Sequence, residues 1–116
     1  MRIWDIGPDK LCRNHLLGEH RELHAIWSVL TKNKKGYSRH PETLRWKGKL
    51  AALYLRHGKL VAEMVSRGYR HNSPLERRLA RGDRKQTLFV ASRRKQVEIL
   101  RNKGCECRVR GTAPIS

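Results

Sequence analysis

The stretch from His15 to Trp27 reads His-Leu-Leu-Gly-Glu-His-Arg-Glu-Leu-His-Ala-Ile-Trp, and it constrains the chain more than any other. At about 100° per residue, Leu16, Leu23, Trp27 and Leu30 stack on one face of a helix, while His15, Glu19 and Glu22 line an adjacent strip. An apolar stripe of this kind must be buried, so the remaining chain has to supply a partner for it. Glu22 stands out on the polar strip. Gly18 and Ala25 flank it on its own face and Arg21 precedes it, leaving room for a large partner to approach the carboxylate. A helical glutamate usually pairs with a solvated Lys or Arg. Here it sits in a chain with 27 Lys and Arg against 10 Asp and Glu, a formal net charge of +17.

A field of that size attracts polyanions, and nucleic acid is the first candidate. At 116 residues the chain forms a single domain, 1–116, with one core. Hydrophobic residues make up 38% and aromatics 6%, so that core is built mainly from Leu, Val, Ile and Ala with a few Trp and Tyr anchors. Asp5, Gly7, Pro8, Asp9 and Lys10 interrupt any apolar run near the start, which predicts no secretion signal. The longest apolar run, Leu50 to Leu55, is too short to cross a bilayer. Three cysteines, an odd number, favour reduced thiols in a cytoplasm, and with the charge the expected place is cytoplasmic and nucleoid-associated.

The expected fold is all-α: a compact domain of three main helices with an extended N-terminal segment packed near the first. Gly7-Pro8 signals a turn and Asp9 is the expected N-cap of a first helix running to about Thr31. Lys32 to Arg39 is a basic loop. Pro41 suits the first turn of a second helix to about Arg67, with Gly68 as its stop. In it Trp46, Leu50, Leu53, His57, Val61 and Met64 make an apolar stripe, and Arg45, Lys49, Arg56, Lys59 and Arg67 fall opposite, as on a helix facing a polyanion. Asn72-Ser73-Pro74 is expected to start a short helix through about Ala80, ended by Arg81-Gly82-Asp83. Ser92 caps a final helix to Lys103, with the tail after Gly104 only partly ordered.

The run His15-Leu16-Leu17-Gly18-Glu19-His20-Arg21-Glu22-Leu23 resembles the His-Leu-x-x-Glu-x-Arg-Glu-Leu segment of the phage-type pyrimidine dimer DNA glycosylases, the endonuclease V family of AP lyases. Met1-Arg2-Ile3 resembles the family's N-terminus at the same distance upstream. The stretch Lys59 to Tyr69 is similar to its second long helix and the Arg-Gly-aromatic end of that helix. The resemblance covers roughly the first two thirds of the chain.

That resemblance implies a DNA-repair glycosylase and AP lyase acting on damaged double-stranded DNA, with nucleotide flipping and with no cofactor and no metal. An N-terminal α-amine suits the nucleophile's task, since its reference pKa of about 7.7 to 8.0 leaves much of it unprotonated near neutrality. In the family this amine belongs to a threonine exposed by methionine removal. Here Met1 itself falls at that place, and Arg2 is too bulky a second residue for the usual removal, so the α-amine of Met1 is the expected nucleophile and Glu22 the catalytic carboxylate. Arg2, His15 and Arg21 match family residues at the lesion, the arginines gripping phosphates. Arg45 and Lys49 join them as expected DNA contacts from the basic side of the second helix. Two departures stand out: a further family arginine is replaced by Ala25, and the family's aromatic, basic C-terminal tail is missing. Both leave the lyase apparatus intact while leaving the damaged base open.

His20 and His24 stand one turn apart at metal-ligand spacing, and His15 with Glu19 repeats it. The order is not the His-Glu-x-x-His of zinc proteases, and the sequence places no third ligand, so no metal is expected. Cys105-Glu106-Cys107 alone is a poor zinc signature. The expected state is a monomer with no obligate protein partner and no membrane contact. A non-catalytic basic nucleic-acid-binding protein is the alternative, for which charge suffices. Either way the charge predicts steep salt dependence. With six or more phosphate contacts, duplex affinity measured by anisotropy should fall about a thousand-fold or more between about 50 and 200 mM salt, and a flat response would exclude a DNA partner.

Overall fold

The computed structural model describes residues 2–36, 38–71, 73–103 and 107. Its regular elements there are helical: α1 (Arg13–Thr31), α2 (Pro41–Leu44), α3 (Leu50–Ser66) and α4 (Arg93–Asn102), with 3-10 turns at Pro8–Lys10 and Arg77–Leu79. The all-α expectation holds. α1 packs chiefly on α3. The stripe of Leu16, Leu23, Ile26 and Trp27 meets Leu53, Leu60 and Met64 of α3, and Leu100 of α4 closes the same core.

The N-terminal segment is part of that core. Ile3, Trp4, Ile6 and Leu11 are buried, and their backbone is tied down on three sides. The Trp4 N–H donates to Glu19 Oε1 of α1 at 3.0 Å, the Arg45 Nη2 donates to the Ile3 carbonyl at 2.9 Å, and the Asp5 N–H donates to Gln96 Oε1 of α4 at 2.7 Å. The predicted extended segment beside the first helix is therefore present, threaded between α1, α4 and the end of α2.

Three helix boundaries differ from expectation, each for a local reason. Pro8–Lys10 forms a 3-10 turn, so α1 starts at Arg13 with Cys12, not Asp9, as its N-cap. The second helix is interrupted. Gly48 takes φ +76°, a left-handed conformation that no α-helix accommodates, so Pro41–Leu44 is a separate turn and the long helix begins at Leu50. The short helix after residue 72 reduces to a 3-10 turn at Arg77–Leu79, closed by the Leu79 and Ala80 N–H groups on the Glu76 and Arg77 carbonyls at 3.0 Å. α4 matches its prediction, with Ser92 Oγ accepting from the Lys95 N–H at 3.1 Å.

The start of α3 is completed by chain from far downstream. Its first-turn N–H groups at Ala51 and Ala52 donate to the carbonyls of Arg81 and Asp83 at 2.8 and 2.9 Å, and the Asp83 N–H donates back to the Gly48 carbonyl at 3.0 Å. This contact includes an isolated antiparallel bridge between Lys49 and Gly82. Gly82 sits at φ +86°, and a Cβ there would lie 2.1 Å from the Gly48 carbonyl oxygen. Gly82→Ala should therefore lower stability by at least about 2 kcal/mol in a denaturant titration; an unchanged midpoint would mean that this cap contributes little.

Candidate active site

The strip of α1 bearing His15, Glu19 and Glu22 is the strip along which the N-terminal segment runs. Glu19 anchors it. Its carboxylate is buried, takes the Trp4 N–H, and pairs with Arg56 of α3 through Nε (2.7 Å) and Nη2 (3.0 Å). Burial pushes the Glu19 carboxyl upward, and the Arg56 guanidinium and the Trp4 N–H pull it back. Glu22 lies one turn further along the same strip. It is half-buried, and among the described residues it has neither a hydrogen bond nor an ion pair. In a chain of net charge +17, a carboxylate without a cationic partner is conspicuous.

Arg2 and His15 are brought to this strip through Trp4. The Arg2 guanidinium lies 5.0 Å from the Trp4 ring centroid, and the His15 ring meets the same indole edge-on at 5.7 Å. His15 Nδ1 is also 3.1 Å from Cys12 Sγ and 3.3 Å from Cys107 Sγ. Burial and nearby Lys103 both lower its pKa. Arg21 projects to solvent beside Glu22. Gly18 has open space where a Cβ would be, so no packing contact explains a glycine in the middle of this helix. Met1 and Cys105 lie outside the described residues.

Arg45 and Lys49 are placed differently from expectation. Arg45 is 5% exposed and its guanidinium serves Asp5, Glu42 and the carbonyls of Ile3 and Leu88. Lys49 is 9% exposed, with Nζ on Gln86 Oε1 at 2.9 Å, and Gln86 in turn donates to the Arg45 carbonyl. Both point inward because the break at Gly48 takes them off the outer face of a continuous helix. Arg67 is likewise committed, to Glu63 and the carbonyls of Pro8 and Leu11. Of the five cations expected on that face, Lys59 alone is fully exposed. It lines a cleft of about 980 Å³ together with Lys10, Arg56, Arg84, Lys85 and Arg93, opposite the N-terminal residues Asp5 to Pro8. Nothing local in the sequence marks Arg84, Lys85 and Arg93 as converging on one cleft.

The profile of one protein family, pyrimidine dimer DNA glycosylase, matches residues 1–77. The chain belongs to this family. The match includes the N-terminal segment, the Glu22 helix and α3, the three parts that the Glu19 network joins. It places the chain among DNA-repair glycosylases. No curated protein and no solved structure matches the chain. Among the described residues, no helix is long and apolar enough to cross a membrane.

The openness at Gly18 makes a prediction with two readouts. Gly18→Ala should raise stability by about 0.5–1 kcal/mol, because alanine loses less backbone entropy in a helix. It should also weaken binding to duplex DNA by narrowing the approach to Glu22. A rise in Tm with unchanged affinity would put the docking face elsewhere.

Proposed function

We propose that the protein is a DNA glycosylase and AP lyase for damaged duplex DNA, with the α-amine of Met1 as nucleophile and Glu22 as the catalytic carboxylate. The observation that carries this reading is the uncommitted Glu22, one turn from the Glu19 carboxylate that grips the N-terminal segment at Trp4. The α-amine is three residues upstream of that grip, and three extended residues span at most about 10 Å, enough to reach along one helical turn.

The amine attacks the sugar C1′ as the glycosidic C–N bond breaks, and the base leaves with the electron pair and takes up a proton. The C1′ amine then opens the sugar ring to an imine. Removal of a proton from C2′ lets the 3′ phosphate depart by β-elimination, and water hydrolyses the remaining imine to release the enzyme. Glu22 stabilises the cationic sugar and moves the protons. Arg2 and Arg21 hold the phosphates that flank the lesion, and His15 stands beside them. Exposed Lys59, Arg84, Lys85 and Arg93 grip the strand beyond, in the role that sequence assigned to Arg45 and Lys49. The nucleotide is flipped out of the duplex to reach the carboxylate. Pyrimidine dimers are the substrate that the family implies, and the place of work is wherever the DNA is.

Borohydride reduction on a duplex with one abasic site tests the chemistry. The free N-terminus should give a covalent adduct and a tagged terminus none. An adduct with both would move the nucleophile to a lysine, and no adduct with either would favour a plain DNA-binding protein. Glu22→Gln should lower strand cleavage by a hundred-fold or more, about 2.7 kcal/mol or above in barrier, with DNA affinity nearly unchanged. Equal losses in cleavage and affinity would make Glu22 a binding residue.

A further inference from the structure

Away from Glu22, the fold assembles a second constellation. His20 and His24 of α1, His57 of α3 and His71 of the segment after α3 bring one ring nitrogen each to within 4.8 Å of one another. Ring centroids lie 4.6 to 5.1 Å apart for every pair recorded among them. The Nε2 atoms of His24 and His57 are 3.2 Å apart, and those of His20 and His71 are buried with no hydrogen-bond partner among the described residues. Four imidazoles gathered around one point make a poor apolar core. Each unpartnered buried nitrogen costs about 1–3 kcal/mol, a cost that needs a compensating ligand.

We infer that His20, His24, His57 and His71 form a binding site for a zinc-type divalent cation that pins α1 to α3 and to the chain that follows α3. A tetrahedral zinc with nitrogen ligands at about 2.0–2.1 Å sets those nitrogens about 3.4 Å apart. The His24–His57 separation already matches that edge, and the other nitrogens close by small side-chain rotations. An all-imidazole set selects zinc, copper or nickel over magnesium or calcium, and four converging ligands without a carboxylate suit structural zinc. Burial, then the neighbouring histidines, lowers His20 and His57 to about 4, which favours the neutral form that ligation needs at these two rings.

The site is structural. On α1, Glu22 lies about 180° around the helix from His20 and His24, so the cation and the carboxylate occupy opposite faces. The inference does not depend on the chemistry assigned to Glu22. It adds the two ligands that spacing could not find, and it replaces the expectation that no metal is bound.

Untagged protein stripped with a chelator should bind Zn²⁺ at one per chain by calorimetry, and Mg²⁺ not at all. Zinc at a hundred-fold excess over its Kd should raise Tm by about 10 °C. Co²⁺ in its place should give the strong visible absorption of a tetrahedral site. His71→Gln and His20→Gln should each weaken Zn²⁺ binding at least ten-fold, while His71→Gln retains abasic-site cleavage at low temperature. Two results would overturn the proposal: no saturable Zn²⁺ binding by the unaltered protein, or binding unaffected by both substitutions. The second would relocate the cation to Cys12, His15 and Cys107, whose ligand atoms also lie within 4.8 Å of one another.

Discussion

A carboxylate with 2% exposure is the pivot of this fold. Glu19 holds the Trp4 backbone with one oxygen and the Arg56 guanidinium with both. Taking that charge out of water costs several kcal/mol, and the two partners offset it only when all three groups are in place. Removing one would strand a buried charge, at about 3–5 kcal/mol. Burying Ile3 and Ile6 would hold the N-terminal segment against the helices, but apolar burial tolerates sliding. The Glu19 oxygens do not, and they set which residue of the segment lies against which turn of α1. Arg45 reinforces the register from the other side by holding the Ile3 carbonyl and Asp5 at once.

Much of this was legible in the residues. The apolar stripe of α1, the Ser92 cap of α4 and the N-terminal thread are local patterns, readable from period and capping chemistry. Gly48 and Gly82 were visible, but their left-handed conformations arise from a pairing between segments more than thirty residues apart. Helical spacing therefore extended one helix through Gly48 and assigned Arg45 and Lys49 to solvent. The histidines failed for the same reason. His20 and His24 share one helix and announce themselves, while His57 and His71 join them only after α1 and α3 pack. Glu19 was placed on the right strip, yet nothing local marked it as the buried member and Glu22 as the uncommitted one. That division depends on Arg56, supplied by the other long helix.

Several cations of the α2–α3 region are turned inward. Three arginines that helical spacing turns outward, Arg45, Arg56 and Arg67, are spent on internal acids and carbonyls. Positive charge on the surface comes instead from Lys59 and the 84–93 segment around the cleft. The exposed cations thus lie around the cleft, above cations that are neutralised internally.

The cap on α3 separates two ideas of where a protein unit ends. The family profile stops at residue 77, yet the carbonyls that finish the first turn of α3 come from Arg81 and Asp83. Gln86 braces Lys49, Gln96 holds Asp5, and Leu100 fills the core, all from beyond the same point. Homology marks residues 1–77, whereas the contacts that complete the core run on to α4. A fragment cut at the profile's edge would keep Glu19, Glu22 and the N-terminal segment and lose the scaffold that holds them in register.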